Sequence, residues 1–86
     1  LRMSYYTYIL YSEAHSRFYI GYSENPEKRL IERHNAGKVK ATRNFRPYVL
    51  LKKKYFETEL EAMHEERRIK RMKSAVYIRK LVEGEW

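Results

Sequence analysis

The chain contains no cysteine, its eleven acidic residues include no aspartate, and only two prolines and three glycines punctuate its 86 residues. The first absence excludes disulfides and cysteine-ligated zinc, and is in keeping with a reducing compartment. The second removes Asp-based two-metal nuclease centres and EF-hand loops, since every carboxylate side chain is a glutamate. Three histidines without clustered carboxylates also argue against a structural zinc site. There is no long apolar run and no leader-like segment, so the expectation is a soluble, cytoplasmic protein without membrane contact. Repeats, linkers and low-complexity stretches are lacking too. A chain this short has room for one core, which predicts a single domain over 1–86 with its core at about 5–82.

What the sequence has in abundance is positive charge and tyrosine. Nineteen Lys and Arg against eleven Glu leave a net charge of +8, with basic clusters at Lys52-Lys53-Lys54 and from Arg67 on to Lys73. Such clustering favours a polyanionic partner, most simply nucleic acid. The nine tyrosines gather mainly in two strand-forming stretches, Tyr5-Tyr6-Thr7-Tyr8-Ile9-Leu10-Tyr11 and Phe18-Tyr19-Ile20-Gly21-Tyr22. A hairpin with a four-residue loop at 12–15 pairs Tyr11 with Ser16, and so sets Ile9 against Phe18, Tyr8 against Tyr19 and Tyr6 against Gly21. Alternation puts Thr7, Ile9, Tyr11, Phe18, Ile20 and Tyr22 on one face, with Tyr6, Tyr8, Leu10, Arg17 and Tyr19 on the other. Gly21 then either clears the ring of Tyr6 or lets a ligand approach the backbone.

Beyond the hairpin, Asn25-Pro26 reads as a helix start and Gly37 as its stop, with Leu30 and Ile31 buried. Residues 38–47 lose all periodicity and carry Lys38, Lys40, Arg43 and Arg46 beside an exposed-looking Phe45. They read equally well as a phosphate-tracking, base-stacking loop and as a solvated connection. A strand follows over residues 48–56, its lysine run marking an edge. Thr58 and Glu61 form a capping box for a helix to about Met72, in which Leu60, Met63, Ile69 and Met72 are the burial candidates. A last helical turn or two runs through Val76, Ile78 and Leu81. The order β-β-α-β-α-α predicts an α+β fold, a three-stranded, mostly antiparallel sheet flanked by helices.

Tyr6-Thr7-Tyr8, eleven residues on to Tyr19-Ile20-Gly21, ten more to Arg29, then His34-Asn35 with Gly37, and later Ala62, Glu66 and Ile69-Lys70 resemble the GIY-YIG nuclease family. The likeness runs from about Tyr5 to Lys73 and is closest to small stand-alone members. It implies an endonuclease that uses one divalent ion, Mg²⁺ or Mn²⁺, on nucleic acid, with DNA placed before RNA. By position, Tyr8 and Tyr19 stand at the nucleophilic water, one of them as general base or its orienter. Arg29 stabilises the pentacovalent phosphate, Glu66 holds the metal, and His34 joins the catalytic set. Tyr6 and Gly21 are structural neighbours of the site. Apart from the resemblance, the basic loop residues Lys38, Lys40, Arg43 and Arg46, with Lys70 and Lys73 at the end of the later helix, are the expected nucleic-acid contacts, and targeting is left to a DNA structure or a protein partner. A tyrosine near its ordinary pKa of about 10 needs help from a metal or from Arg29 to act as a base.

The sequence departs from the family pattern in three places. Tyr6 stands where the first motif usually has Gly, and no Asn follows Asn44, although members often carry one beyond the metal glutamate. The family's helix histidine commonly lies four residues after the arginine, but His34 lies five after Arg29. In an α-helix that extra residue swings it about 100° away from the site. Without the family pattern, Tyr8 and Tyr19 read as sheet packing, Arg29 as a solvated helix residue, and Glu66 as the exposed partner of Lys70. The competing function is accordingly a basic nucleic-acid-binding module that keeps the fold without turnover.

Overall fold

The tyrosine-rich stretches pair as β1 (Tyr5–Ser12) and β2 (Arg17–Ser23), and β3 (Val49–Phe56) adds to the other side of β1. The sheet order is β2-β1-β3, and both pairings are antiparallel, so the sheet is antiparallel throughout rather than mostly so. The computed structural model describes residues 4–86; residues 1–3 of the expected 1–86 domain lie outside the described residues. Helices α1 (Pro26–Arg29), α2 (Glu59–Met72) and α3 (Ala75–Lys80) complete the expected order. None of the helices among the described residues is long and apolar enough to cross a membrane.

The hairpin register differs from the expected one by two residues. Tyr8 opposes Gly21 and Leu10 opposes Tyr19, with Ser12 and Arg17 as the closing pair. Ser16 is the cause: it adopts a left-handed conformation (φ 49°), and its amide donates to Glu13 O at 3.3 Å, so the turn occupies residues 13–16. A slip of two keeps every side chain on its expected face, whereas a slip of one would have inverted them all. Tyr6 therefore opposes Ser23 and not Gly21, and its ring meets Tyr55 edge-on at 5.9 Å.

One face of the sheet is aliphatic. Ile9 and Ile20 pack against Ile69 of α2 and Leu81 of the π-helical turn (Leu81–Glu85) that continues α3. Full burial of each such side chain contributes roughly 1.5–3 kcal/mol. The α2 face that meets the sheet is Ala62 and Ile69, and the small Ala62 allows Thr7 Oγ1 to donate to its carbonyl at 2.7 Å. Leu60 (56% exposed) and Met72 (49%) are not core residues as expected. Leu60 lies nine residues before Ile69, about 180° round the helix. Val76 is also exposed, leaving Leu81 as the buried residue of the last segment.

Polar contacts fasten the helices. The capping box is formed, with Glu61 N donating to Thr58 Oγ1 at 3.2 Å and Thr58 N to Glu61 Oε1 at 3.2 Å. Arg68 forks onto Glu65 at 2.8 and 2.7 Å and reaches Tyr77, while Trp86 Nε1 donates to Glu65 at 2.8 Å, clamping α3 and the C-terminus to α2. On β3, Leu51 is the extra residue of a bulge between the pairs Ile9–Lys52 and Leu10–Leu50, and Lys52 Nζ donates to Leu81 O at 3.1 Å. The lysine run does lie on an edge strand, as expected.

Candidate active site

The other face of the sheet is aromatic and hydrogen-bonded. Its buried residues Tyr8, Leu10 and Tyr48 are covered by Tyr19, Leu30, Phe45 and Leu50. The segment that covers it starts at α1, where Asn25 accepts from Lys28 N at 3.1 Å and Pro26 opens the first turn. After Arg29 the helix widens into a π-helical turn, Leu30–His34, closed by Asn35 N donating to Leu30 O at 2.8 Å, and Gly37 (φ 77°) ends the segment.

That widened turn answers the His34 offset. A π turn takes one more residue to close than an α turn, so the fifth residue after Arg29 arrives near where the fourth would in an α-helix. His34 is turned inward and fully buried, and Ile31, expected in the core, is 69% exposed instead. Leu30 remains half-buried against Tyr8 and Leu10.

His34 joins two buried hydroxyls. Its Nε2 lies 2.8 Å from Tyr8 Oη and its Nδ1 lies 2.9 Å from Thr42 Oγ1. Burial, with Arg29 and Arg33 adding to the effect, pushes the imidazole down to about 4, so the ring is neutral at physiological pH. Burial likewise pushes the Tyr8 phenol up to about 12. Arg29 opposes that rise through its charge and donor groups, while Tyr19 and Glu66 add to it. Tyr8 is thus a neutral phenol at rest.

Gly21 serves Tyr8, not Tyr6 as expected from the other register. A Cβ on Gly21 would stand 2.5 Å from Tyr8 Cζ and closer still to its oxygen, so the phenol passes directly over this backbone. Beyond it opens a cleft of about 720 Å³ whose lining includes Tyr8, Tyr19, Gly21, Arg29, Glu59 and Glu66. Tyr19 lies with its ring 5.1 Å from that of His34, and Lys70 Nζ stands 5.0 Å from the Tyr19 ring. Four residues expected at the site, Tyr8 of β1, Tyr19 of β2, Arg29 of α1 and Glu66 of α2, line one cleft, with His34 immediately behind it.

The remaining candidates are placed elsewhere. Lys70 pairs with Glu66 at 3.6 Å, at the margin of the cleft. Lys38, Lys40 and Arg43 are exposed and outside the lining, and Lys73 is exposed at the left-handed C-cap of α2. The Arg46 guanidinium lies across Gly37, where a Cβ would meet it. Phe45 is not a free stacking platform: it is half-buried, under the Arg17 guanidinium at 4.1 Å and edge-on to His15 at 5.5 Å. The loop is ordered about Asn35, whose amide exchanges hydrogen bonds of 2.9 and 2.8 Å with the backbone of Tyr48. Sequence reasoning missed Thr42 and Glu59. A threonine eight residues beyond a histidine carries no local signal, and Glu59 stands out only as a first-turn acid of α2.

Glu66 is a carboxylate placed where it could hold a metal. Its side chain is 15% exposed, it faces the cleft, and among the described residues it is paired with Lys70 alone. No cluster of three or more His, Cys, Asp or Glu that could hold a metal occurs among the described residues. The donor set therefore fits a hard cation bound through one or two carboxylates, with water and a substrate phosphate filling the other positions, as Mg²⁺ is commonly held. It does not fit a closed structural ion.

Comparison with known proteins supplies independent findings. The family model described as the GIY-YIG catalytic domain matches residues 4–80. A UPF0213 protein from Staphylococcus haemolyticus is 44% identical over 66 residues, which span 76% of this chain and 78% of that one. The solution NMR structure of a UPF0213 protein from Bacillus halodurans superposes with a TM-score of 0.58 at 32% identity, covering 96% of this chain and 86% of that one.

Proposed function

The chain belongs to the GIY-YIG family, and from that premise we propose that it is a divalent-metal-dependent endonuclease that hydrolyses phosphodiester bonds, with DNA as the leading substrate. The observation that carries the reading is the Tyr8 hydroxyl, bonded on one side to buried, neutral His34 and opening on the other into the cleft shared by Arg29 and Glu66.

In this reading Arg29 binds the scissile phosphate and stabilises the charge that gathers on its oxygens. Glu66, with Glu59 on the same wall, would hold Mg²⁺ or Mn²⁺, and a bound ion would polarise the phosphate and lower the pKa of nearby water. Tyr8 takes a proton from the attacking water as its own passes to His34 Nε2. A bond forms from the water oxygen to phosphorus as the P–O bond opposite it breaks, and the departing alkoxide takes a proton from solvent. Timing follows from the two pKa values. With Tyr8 near 12 and His34 near 4, the proton stays on the phenol until substrate arrives. Burial is the main cause of the low His34 pKa, and a phosphate anion on Arg29 would offset the part that the Arg29 charge adds. Tyr19, between His34 and Lys70, orients the water.

The test is nicking of plasmid and branched DNA with Mg²⁺ or Mn²⁺, comparing the protein with Glu66→Ala and Tyr8→Phe. Metal-stimulated cleavage lost in both variants is the expected result. Cleavage indistinguishable from that of Glu66→Ala across the panel rejects the reading. A second reading, a binding module without turnover, draws on Lys70, whose ammonium already neutralises Glu66 at 3.6 Å. It predicts salt-sensitive binding with no need of metal.

A further inference from the structure

The second hydrogen-bond partner of His34, Thr42, lies outside the cleft lining. Thr42 is fully buried, at the end of a tight turn in which its own amide and that of Arg43 both donate to Val39 O, at 3.1 and 2.9 Å. Its hydroxyl is left with two partners, Val39 O at 3.5 Å and His34 Nδ1 at 2.9 Å.

We propose that Thr42 is a positioning residue that fixes His34 as the tautomer protonated on Nδ1, leaving Nε2 free to accept the Tyr8 proton. The function of that tautomer rests on the reading of Tyr8 as the base, but its existence does not.

Donor counting carries the inference. Val39 O can only accept, so a Thr42 hydroxyl proton directed to it presents a lone pair to His34, which then donates from Nδ1. At the other end, Arg29 offers nothing but donors to the Tyr8 oxygen. The Tyr8 proton therefore needs an acceptor, and His34 Nε2 at 2.8 Å is the partner it has among the described residues. The opposite tautomer would aim Nε2–H at an oxygen already facing the donors of Arg29 and turn the Tyr8 proton away from His34 toward the cleft. The chain of polarity thus runs one way, from Tyr8 O–H to Nε2, and from Nδ1–H to Thr42 and on to Val39. The hydrogen bond made by one ring nitrogen sets the state of the other.

Two-bond ¹H–¹⁵N spectra of the whole chain at neutral pH read the tautomer directly, without substrate or metal. Wild-type His34 is expected to show a protonated Nδ1 and a bare Nε2. In Thr42→Val, which keeps the shape and removes the hydroxyl, that pattern is expected to be lost, and Thr42→Ser is expected to restore it. In the nicking assay kcat should fall roughly 10- to 100-fold in Thr42→Val with KM for DNA unchanged, and recover in Thr42→Ser. A protonated Nε2 in the wild type overturns the proposal, as does a tautomer or a kcat unmoved in Thr42→Val. If Thr42→Val does not fold, the wild-type and Thr42→Ser spectra still decide it. If the wild type cleaves nothing, the nuclease reading fails, and the same spectra still settle whether the tautomer exists.

Discussion

The two faces of one small sheet are built to different rules. Behind β1, Ile9 and Ile20 meet Ile69 and Leu81, side chains with no polar atom to satisfy. In front of it, Tyr8 is as deeply buried, but its hydroxyl must be matched by His34, and His34 in turn by Thr42. The first arrangement is forgiving of orientation and supplies stability; the second is unforgiving and leaves one polar atom facing a cleft. Two single changes separate them most strongly. Tyr8→Phe removes one oxygen and is expected to cut nicking by about 10²–10⁴-fold while the fold persists. Ile69→Ala is expected to lose about 2–5 kcal/mol of unfolding free energy, seen by urea denaturation, with cleavage retained by whatever fraction stays folded. If Tyr8→Phe cleaves normally, or Ile69→Ala abolishes cleavage in folded protein, the division of labour between the faces is wrong.

Acid sharpens the contrast. His34 has a folded pKa near 4 against an ordinary value of 6.5, so the unfolded chain binds its proton first as pH falls. Its contribution is complete above about 6.5 and is lost progressively down to about 4, by up to roughly 3 kcal/mol. The clamp behind the sheet fails later. Arg68, with help from Trp86, holds the Glu65 carboxyl below its ordinary 4.5, so that its contribution is present above 4.5 and is lost only as pH falls below it. Stability measured from pH 7 to pH 3 should therefore decline in two stages, and His34→Gln should flatten the first alone. A first stage that survives in His34→Gln assigns it to another group.

The same contrast explains what was legible in the sequence. Strand alternation put Ile9, Ile20 and Tyr8 on their correct faces even though the register was wrong by two, because the period of a strand is two and the side of the sheet survives an even slip. The capping box and Asn25-Pro26 are local chemistry and were read as local chemistry. What could not be read was geometry set by several segments at once. His34 is misplaced on an α-helical path, and the π turn that brings it inward, where its ring meets Tyr8 and Thr42, leaves no local mark in the sequence. Phe45 looked free because the residues that cover it, Arg17 and His15, come from the distant hairpin. Helix α2 misled for a related reason: its bulky apolar residues Leu60 and Met72 lie off the line of Ala62 and Ile69, so the smallest residue marks the buried stripe. Of the cleft and the side chains behind it, Tyr8, Tyr19, Arg29, His34 and Glu66 are expected from the family pattern, whereas Glu59 and Thr42, the latter reached through a loop, are not.

The smallest expected effect probes a helix that serves both the aliphatic core and the cleft. Helix α2 carries Ile69 into the aliphatic core and Glu66 into the cleft, three residues apart, and its first turn is held by Thr58 and Glu61. Thr58→Ala removes the hydroxyl that accepts from Glu61 N and should cost about 1 kcal/mol. For a domain of this size that is a fall of about 4–8 °C in Tm, measurable by calorimetry. Glu66 sits two turns beyond the cap, past Ala62, where Thr7 ties the helix backbone to β1 at 2.7 Å. Fraying at Thr58 should stop there, so the rate of nicking at a temperature well below Tm is expected to stay within twofold of wild type. A large loss of nicking in Thr58→Ala would mean that the position of Glu66 is set from the end of α2 and not by the sheet beneath it.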